Sequence, residues 1–282
     1  MFDGRDELDI IQEDIKRALG KPDTKWAMLI DLRRCTACKA CTAGCVAEQK
    51  SPPGVMYRPV YEEESGTFPN VKRRFTPRPC LQCDEPPCVE ACPNKGENKA
   101  TWKAKNGIVM INYNQCIGCG RCVIACPYKA RTLDAGYFHT EGTPAIQEYE
   151  TAPTWEYSRK WPREKNHIPI NNARKCHFCY HRLKNGMVPM CVSTCICRAN
   201  YFGDPEDKDS LIHKVLRANK IMILTEVKSP GETKLKNEQL KGKTPGFIAS
   251  AVGYPGSLPV FSDKAKSKPR VFYILPEGGA RK

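Results

Sequence analysis

The chain has 282 residues and carries 45 Lys and Arg against 31 Asp and Glu, which gives a formal net charge of +14. Its longest apolar runs fall far short of the roughly 18 residues that cross a bilayer, so we expect no direct membrane span. Seventeen residues are Cys, and this fraction lies below the roughly 8–10% that is typical of a short disulfide scaffold.

An acidic helix is predicted at the N-terminus, within an arm of residues 1–24. Leu8, Ile11 and Ile15 recur at helical spacing, and Gly20 closes the pattern. The helix has two interpretations: it covers the body of the protein, or it grips a partner subunit. The first twenty residues contain no apolar core of a secretory signal, so we expect any export to depend on another chain.

Sixteen of the cysteines form four quartets with similar spacing. The first and third quartets read C-x2-C-x2-C-x3-C, whereas the middle gap is four residues in the second and eleven in the fourth. The last Cys of the second and third quartets is followed by Pro. The quartets are Cys35, Cys38, Cys41, Cys45; Cys80, Cys83, Cys88, Cys92; Cys116, Cys119, Cys122, Cys126; and Cys176, Cys179, Cys191, Cys195.

The repeated spacing indicates iron–sulfur clusters of the 4Fe–4S type. Three thiolates on one tight loop can bind three corners of a cube, and the fourth Cys lies beyond that loop. In two-cluster bacterial ferredoxins this fourth Cys binds the neighbouring cluster, so each quartet needs a partner quartet. A disulfide framework would leave one cysteine over, and structural zinc uses two pairs of ligands per site, so both alternatives fit less well.

Further elements are predicted between and after the quartets. Strands are expected over residues 26–32 and 107–111, and short helices after the final Cys of each quartet. Residues 136–170 show little periodicity and are interpreted as a surface insertion, whose aromatic and basic residues either contact a partner or pack over the clusters. Residues 228–282 are basic and are interpreted as a solvated or partner-wrapping extension. Because this segment lacks the interleaved aromatic and basic residues of a stacking platform, we expect no nucleic-acid partner.

Four segments of the sequence carry a family resemblance. They read AMLIDLRRCTACKACTAGC, PCLQCDEPPCVEACP, GIVMINYNQCIGCGRCVIACPYKAR and ARKCHFCYHRLKNGMVPMCVSTC, in that order. With them, residues 26–204 resemble the four-cluster electron-transfer beta subunits of molybdopterin oxidoreductases of the dimethyl sulfoxide reductase family. One departure is that Ile196 and Cys197 follow Cys195, where relatives usually have Pro. Cys197 is interpreted either as a competing ligand or as a small buried apolar residue.

The resemblance implies that the quartets pair in a nested way, the first with the fourth and the second with the third. We call the resulting ligand sets groups 1 to 4. Group 1 is Cys35, Cys38, Cys41 and Cys195, and group 2 is Cys45, Cys176, Cys179 and Cys191. Group 3 is Cys80, Cys83, Cys88 and Cys126, and group 4 is Cys92, Cys116, Cys119 and Cys122. Each group would hold one 4Fe–4S cluster.

The resemblance also implies an α+β fold of two bacterial-ferredoxin-like modules, one inserted in the other, with long irregular loops and a C-terminal extension. The inserted module would span residues 72–135. The outer module would combine residues 25–71 with 171–227, and the insertion at 136–170 and the extension at 228–282 would complete the chain.

The expected function is electron transfer without an active site of its own. The sequence has no recognisable nucleophile or nucleotide-binding motif. The resemblance implies that group 1 faces a molybdopterin-containing catalytic subunit and that group 4 lies nearest a membrane quinone-reactive subunit or a cytochrome. A stand-alone soluble polyferredoxin is the alternative. The expected location is the periplasmic side of the membrane, reached by co-export with a partner, and the alternative location is cytoplasmic.

Basic residues beside the quartets are expected to raise cluster potentials, because a nearby cation favours the more negative reduced state. Surface solvation is the alternative role for each of them. They are Arg121, Arg174, Lys175, Arg182 and Lys184. Four oxidised clusters with their thiolates would lower the net charge from +14 to about +6, so the clusters account for much of the basic excess.

Overall fold

The computed structural model of the chain describes residues 4–228 and 258–276. The helices in these residues are α1 (Glu7–Ala18), α2 (Ala40–Gln49), α3 (Pro87–Glu90), α4 (Arg121–Ile124), α5 (Glu148–Thr151), α6 (Tyr180–Lys184), α7 (Met190–Ser193) and α8 (Leu211–Ala218). The strands are β1 (Ala27–Asp31), β2 (Val60–Ser65), β3 (Lys72–Pro77), β4 (Thr101–Lys103), β5 (Val109–Ile111), β6 (Thr132–Leu133), β7 (Thr154–Glu156), β8 (Arg159–Trp161), β9 (Ala173–Arg174), β10 (Asn200–Gly203), β11 (Met222–Lys228), β12 (Leu258–Ser262) and β13 (Val271–Ile274).

The largest sheet has five strands in the order β10-β1-β13-β11-β12. β1 pairs antiparallel with β10 and parallel with β13. All five residues of β1 are buried, as expected for a near-continuous apolar run that is covered on both faces. The strands predicted over residues 26–32 and 107–111 are confirmed, as β1 and β5.

Part of the predicted C-terminal extension belongs to this sheet. β13 lies between β1 and β11, and its residues Val271 and Tyr273 are fully buried. The Arg270 side chain donates to the carbonyl oxygens of Trp26 at 2.9 Å and Lys25 at 2.8 Å. The expectation of a solvated or partner-wrapping extension is therefore wrong for residues 258–276. The rest of that extension, residues 229–257 and 277–282, lies outside the described residues.

The N-terminal helix packs onto the body of the protein, on α8 and β10. Asp6 caps α1 by accepting a hydrogen bond from the Leu8 N–H at 2.8 Å. Ile11 and Ile15 are buried, and the Asp14 carboxylate accepts from the Leu211 N–H at 2.7 Å. The predicted helix is confirmed, and its packing supports the interpretation as a cover.

Residues 136–170 are only partly a surface insertion. The hairpin of β7 and β8 carries Tyr157 and Trp161 into the core. Next to it, Asp134 accepts from Arg163 at 2.6 Å and from Arg174 at 2.8 Å. Interpretation as a surface insertion is therefore wrong for the hairpin, because these long-range aromatic and ionic contacts are invisible in local periodicity.

Candidate iron–sulfur cluster sites

Each quartet places its cysteines on a loop and a following helix. Helices α2, α3, α4 and α7 all begin one residue before the third Cys of their quartet. The fourth Cys comes one turn later, either inside the helix or two residues past its end. The expectation that helices start after the final Cys is therefore wrong, because the C-x3-C spacing itself forms the helical turn.

The first C-x2-C loop of each quartet has the same backbone bend. The second residue between the two cysteines has a positive φ in all four quartets, at Ala37, Gln82, Gly118 and Phe178. A left-handed residue at this point curls the loop so that successive N–H groups can face one side. At Gly118 a Cβ atom would lie 2.3 Å from the Asn171 carbonyl oxygen, so this position requires glycine.

Groups 1, 3 and 4 each surround a cavity. The four cysteines of group 1 line one cavity, those of group 3 a second and those of group 4 a third. Backbone N–H groups donate to thiol sulfurs at the rims, from Ala199 to Cys195 at 3.2 Å and from Ala130 to Cys126 at 3.4 Å.

Group 2 is the most enclosed of the four. All its cysteines are buried. Burial raises the pKa of the Cys45 thiol well above its usual value, and the neighbouring charges of Cys179, Cys176 and Cys191 raise it further. Two donors meet the sulfurs of this group: the Phe178 N–H, 3.4 Å from Cys176 Sγ, and the Gln49 amide, 3.5 Å from Cys179 Sγ. The structure thus places the four cysteines of groups 1, 3 and 4 around one cavity each, and the four of group 2 beside one another.

The cysteine that stands outside the quartets lies beside group 1. Cys197 lines the same cavity and is half-buried, with its sulfur 3.6 Å from the Thr36 hydroxyl. It is therefore not the deeply buried apolar residue that one interpretation expected.

The donor set fits a bound cluster. All seventeen cysteines lie in the described residues, and all are free thiols. Among the described residues, no three Cys, His, Asp or Glu side chains gather around a single point where one metal ion would sit. The thiols of groups 1, 3 and 4 surround cavities instead, as a ligand with one corner per thiolate requires. In addition, the Nε atoms of Arg58 and Arg131 are buried without a hydrogen-bond partner, and thiolates or sulfides are acceptors that these donors lack.

The groups form a row in the order 1, 2, 3, 4. Helix pairs join group 1 to group 2 and group 3 to group 4, and the Gln82 amide in the loop of group 3 donates to the Cys176 carbonyl oxygen of group 2 at 2.8 Å. The pKa of Cys191 in group 2 is raised to about 12, chiefly by burial; Arg58 lowers it, and Cys176 of its own group with Cys41 and Cys195 of group 1 raise it. Burial also raises the pKa of Cys176 in group 2, followed by the charge of Cys80 in group 3. Burial raises the pKa of Cys122 in group 4, the charge of Arg131 lowers this pKa, and the charge of Cys88 in group 3 raises it.

The two outer junctions of the row are built from helix pairs. Helices α2 and α7 contact each other, and so do α3 and α4. Each of these helices carries a third Cys in one group and supplies or precedes a fourth Cys in the neighbouring group. Because residues four apart share a helix face about 6 Å apart along the axis, one helical turn joins neighbouring groups.

Only one of the five predicted basic residues lies beside thiols of two groups. Lys175 is fully buried, and the charges of Cys80 and Cys176 raise its pKa against the larger effect of burial. Arg174 is also buried but is paired with Asp134 and Glu156, and Arg182 pairs with Glu48. Arg121 and Lys184 are exposed, so surface solvation describes them better.

Two buried arginines beside the thiols were missed by sequence reasoning. Arg131 is five residues beyond Cys126, and Arg58 belongs to no cysteine motif. Burial opposes the charge of both side chains, yet the neighbouring thiolates raise the pKa of each above its usual value. The place of Arg131 in the segment PYKAR, directly after the third quartet, was a usable signal, whereas nothing in the local sequence marks Arg58.

The described residues contain no helix that is both long enough and apolar enough to span a membrane. Ferredoxin-like cysteine loops within a mixed α and β fold define an iron–sulfur electron-transfer protein. In agreement, one family model described as a 4Fe-4S dicluster domain matches residues 71–141 and 160–205. A second model with the same description matches residues 27–100. Two dicluster domains correspond to four 4Fe–4S clusters.

Sequence similarity to curated proteins identifies the family within this class of electron-transfer proteins. The chain is 54% identical over 224 residues to a selenate reductase subunit of Mesobacillus selenatarsenatis, covering 78% of this chain and 75% of the relative. It is 34% identical to a tetrathionate reductase subunit of Salmonella typhimurium, covering 73% and 68%. It is 32% identical to the arsenate respiratory reductase iron–sulfur subunit of a Shewanella species, covering 71% and 90%. The chain therefore belongs to the family of iron–sulfur beta subunits of molybdopterin oxidoreductases, and it is an electron-transfer subunit with four 4Fe–4S clusters.

Proposed function

We propose that the chain carries electrons between a molybdopterin catalytic subunit at group 1 and a membrane quinone-reactive subunit or cytochrome at group 4. The observation that supports this proposal is the row of cysteine groups. Of the seventeen cysteines, all in the described part of the chain, only Cys38 in group 1 and Cys119 in group 4 are exposed. A row that reaches solvent at its two ends suits a subunit that exchanges electrons with one partner at each end.

The chain's own residues prepare the four sites for electron transfer. When bound, each 4Fe–4S cluster accepts and releases one electron at a time. The loops hold the thiolates around the cavities, backbone N–H groups donate to the sulfurs, and burial keeps water from the middle of the row. These are the features by which a protein sets the potential of a cluster.

The ligand sets in this proposal are groups 1 to 4, with the sixteen cysteines in nested pairing. Cys92 is the sharpest test, because it belongs to the second quartet yet lines the cavity of the third. We expect Cys92→Ser to perturb the cluster of group 4 and Cys83→Ser to perturb that of group 3, as seen by electron paramagnetic resonance. Damage by Cys92→Ser confined to the group 3 cluster would refute the nested pairing.

We also propose that the module of residues 72–135 is inserted into an outer module of residues 25–71 and 171–227. Contacts between the two parts of the outer module support this. β1 pairs with β10 across residues 27–30 and 200–203, and α2 contacts α7. Within the inserted stretch, β4 pairs with β5 and α3 contacts α4.

We infer that the two ends of the row, at groups 1 and 4, are partner surfaces, because each carries an exposed apolar side chain. Ile117, between two cysteines of group 4, is 65% exposed, and Ile196, beside group 1, is 72% exposed. We expect Ile117→Lys to slow electron transfer from the membrane or cytochrome partner, and Ile196→Lys to slow delivery to the catalytic subunit. Both variants should retain all four clusters. Equal slowing at both ends by either variant would contradict the assignment of ends.

The proposed catalytic partner is a molybdopterin reductase of an inorganic oxyanion. The relatives are named for selenate, tetrathionate and arsenate reductases, and the selenate reductase subunit is 54% identical. The test is purification of the tagged chain from its source, followed by metal and sulfide analysis and assays with these three oxyanions. About sixteen irons per chain with a molybdenum subunit would support the proposal, and a stable isolated monomer without a partner would contradict it.

The proposed location is the periplasmic side of the membrane, reached by folded co-export with the catalytic partner. Membership of this family supports the proposal, and a cytoplasmic location is the alternative. Fractionation of cells that express the chain with and without its catalytic partner tests it. Periplasmic appearance only in the presence of the partner is the expected result.

A further inference from the structure

Two fully buried arginines lie at the helix-built junctions of the row. Arg58 and Arg131 are each 1% exposed. The thiols that act on Arg58 are Cys41 of group 1 and Cys191 of group 2. Those that act on Arg131 include Cys88 of group 3 and Cys122 of group 4. The contacts agree: Asn200, which accepts from Arg58, lines the cavity of group 1 and donates to the Cys191 carbonyl oxygen of group 2 at 3.0 Å. Arg131 lines the cavity of group 3 and donates to Thr101, next to Ala100 in the wall of the group 4 cavity.

The hydrogen-bond partners of these two side chains are neutral. Arg58 donates to Met28 Sδ at 3.0 Å and to the Asn200 side-chain oxygen. Arg131 donates to the Thr101 hydroxyl at 3.0 Å. The Nε atom of each is buried and has no acceptor among the described residues. A buried cation without an anionic partner is costly. We therefore expect negative charge at both junctions, and the carboxylates in the described part of the chain do not supply it.

A nearby buried arginine shows the contrasting arrangement. Arg174 is also 1% exposed, but it donates to the carboxylates of Asp134 and Glu156. Its charge is therefore neutralised by the protein itself. Among the described residues, no carboxylate pairs with Arg58 or Arg131. Their charges therefore act on the clusters that the cysteine groups would bind.

We propose that Arg58 and Arg131 are junction cations, each raising the reduction potentials of the two clusters that flank it. This inference rests on the ligand groups of the proposed function. Reduction adds one negative charge to a cluster, and a fixed positive charge in a poorly screened interior stabilises that state. The electron that leaves one cluster enters its neighbour, and no other reactant takes part. Because one cation serves both clusters of a pair, it raises both potentials together.

Lys175 lies at the middle junction, beside Cys80 of group 3 and Cys176 of group 2. Its ammonium donates to the Cys176 carbonyl oxygen at 2.8 Å. Burial lowers the pKa of this lysine, whereas an arginine keeps its charge in proteins. The proposal is therefore confined to the two arginines.

The test is a redox titration of the intact complex by electron paramagnetic resonance, with Arg58→Gln and Arg131→Gln. At fixed potential, we expect Arg58→Gln to lower the reduced-to-oxidised ratio of clusters 1 and 2 by about tenfold, or about 59 mV for one electron. Clusters 3 and 4 should not change. Arg131→Gln should show the opposite pattern. Arg58→Lys and Arg131→Lys restore a cation whenever the lysine is protonated, so their potentials should approach the wild-type values as the pH is lowered.

The matched control is Arg163→Gln, which also removes a buried guanidinium. Arg163 is 5% exposed, but the Asp134 carboxylate neutralises its charge, so we expect all four potentials to stay unchanged. Shifts of equal size in all four clusters, or no shift with full iron content, would overturn the proposal. If a Gln variant loses iron, its Lys variant decides: potentials that rise to the wild-type values on acidification support the proposal, and potentials that stay lowered at every pH overturn it. Iron content and the Cys92→Ser result test the ligand groups independently of these shifts.

Discussion

Groups 1 and 2 are neighbours that share helices α2 and α7, yet their surroundings differ. Group 1 includes the exposed Cys38 and lies beside Ile196, which is 72% exposed. In group 2 every cysteine is buried, and a side-chain amide from Gln49 donates to one of the sulfurs. The same cysteine spacing thus builds an accessible end of the row and an enclosed interior. Solvent access and N–H···S bonds are two of the factors that set cluster potentials, so the comparison predicts different sensitivities to mutation.

The largest expected difference is between Cys191→Ser in group 2 and Cys38→Ser in group 1. Cys191 is 6% exposed and packs in the core, so its replacement should remove a cluster from inside the row and destabilise the fold around it. Cys38→Ser should leave a folded protein with three intact clusters. Iron content and paramagnetic resonance of the purified complexes measure both. Equal loss of folded protein in the two variants would contradict the comparison.

A second large effect is expected at the buried ion pairs of Asp134, which involve none of the cysteines. Asp134 is fully buried and accepts from Arg163 and Arg174. We expect Asp134→Asn to lower the free energy of unfolding by about 3–5 kcal/mol, because it leaves the buried Arg163 without its carboxylate and leaves Arg174 with Glu156 alone. Urea unfolding followed by tryptophan fluorescence measures this. The exposed Asp23→Asn is the control and should change stability by less than about 0.5 kcal/mol.

The same carboxylate predicts a pH dependence. Burial alone would raise the pKa of Asp134, but Arg174 and Arg163 outweigh it and hold the pKa below its usual value. A lowered folded-state pKa contributes stability that is present above the unfolded value of about 3.9 and is lost as pH falls through the folded value. The stability difference between the wild type and Asp134→Asn should therefore be constant near neutral pH and shrink below pH of about 4. A difference that grows on acidification would contradict the assignment.

A smaller effect is expected from Gln49→Leu, which removes the side-chain donor of group 2 while keeping its packing. Gln49 is 1% exposed and its amide lies 3.5 Å from Cys179 Sγ. Loss of this hydrogen bond should lower the potential of cluster 2 by an energy on the order of 1 kcal/mol and leave cluster 1 unchanged. Gln12→Leu, which removes a hydrogen bond to the Gly186 carbonyl oxygen, is the control. An equal shift in both clusters would argue against a local N–H···S effect.

The smallest effect is expected from Asp6→Asn at the accessible end. The Asp6 carboxylate pairs with Arg198 at 2.7 Å, and this hydrogen bond lowers its pKa to about 2. The ion pair joins α1 to the chain next to Cys195 and Cys197. We expect faster tryptic cleavage within α1 and unchanged iron content. Loss of the group 1 cluster in this variant would show that α1 supports the site more strongly than its exposed pair suggests.

Local features of this protein were predictable because short-range spacing encodes them. The four quartets, the strand at β1 and the N-terminal helix follow from residues that lie within one or two turns of each other in sequence. The predicted positions of the short helices were wrong by a few residues, because each helix begins one residue before the third Cys of its quartet and not after the fourth. The hairpin of β7 and β8 was also missed, since its burial depends on distant partners such as Tyr113 and His177.

The sequence by itself determined that four similar thiol loops are present and what chemistry they carry, because ligand spacing along a loop is a local property. Only the tertiary structure decided the order of the groups in the row, the enclosure of group 2 and the placement of Arg58 and Arg131 at the junctions. It also decided that β13 pairs with β1, although more than two hundred residues separate them. These features depend on contacts between residues that are far apart in the chain, and the free energy of burying them appears only when the chain is folded.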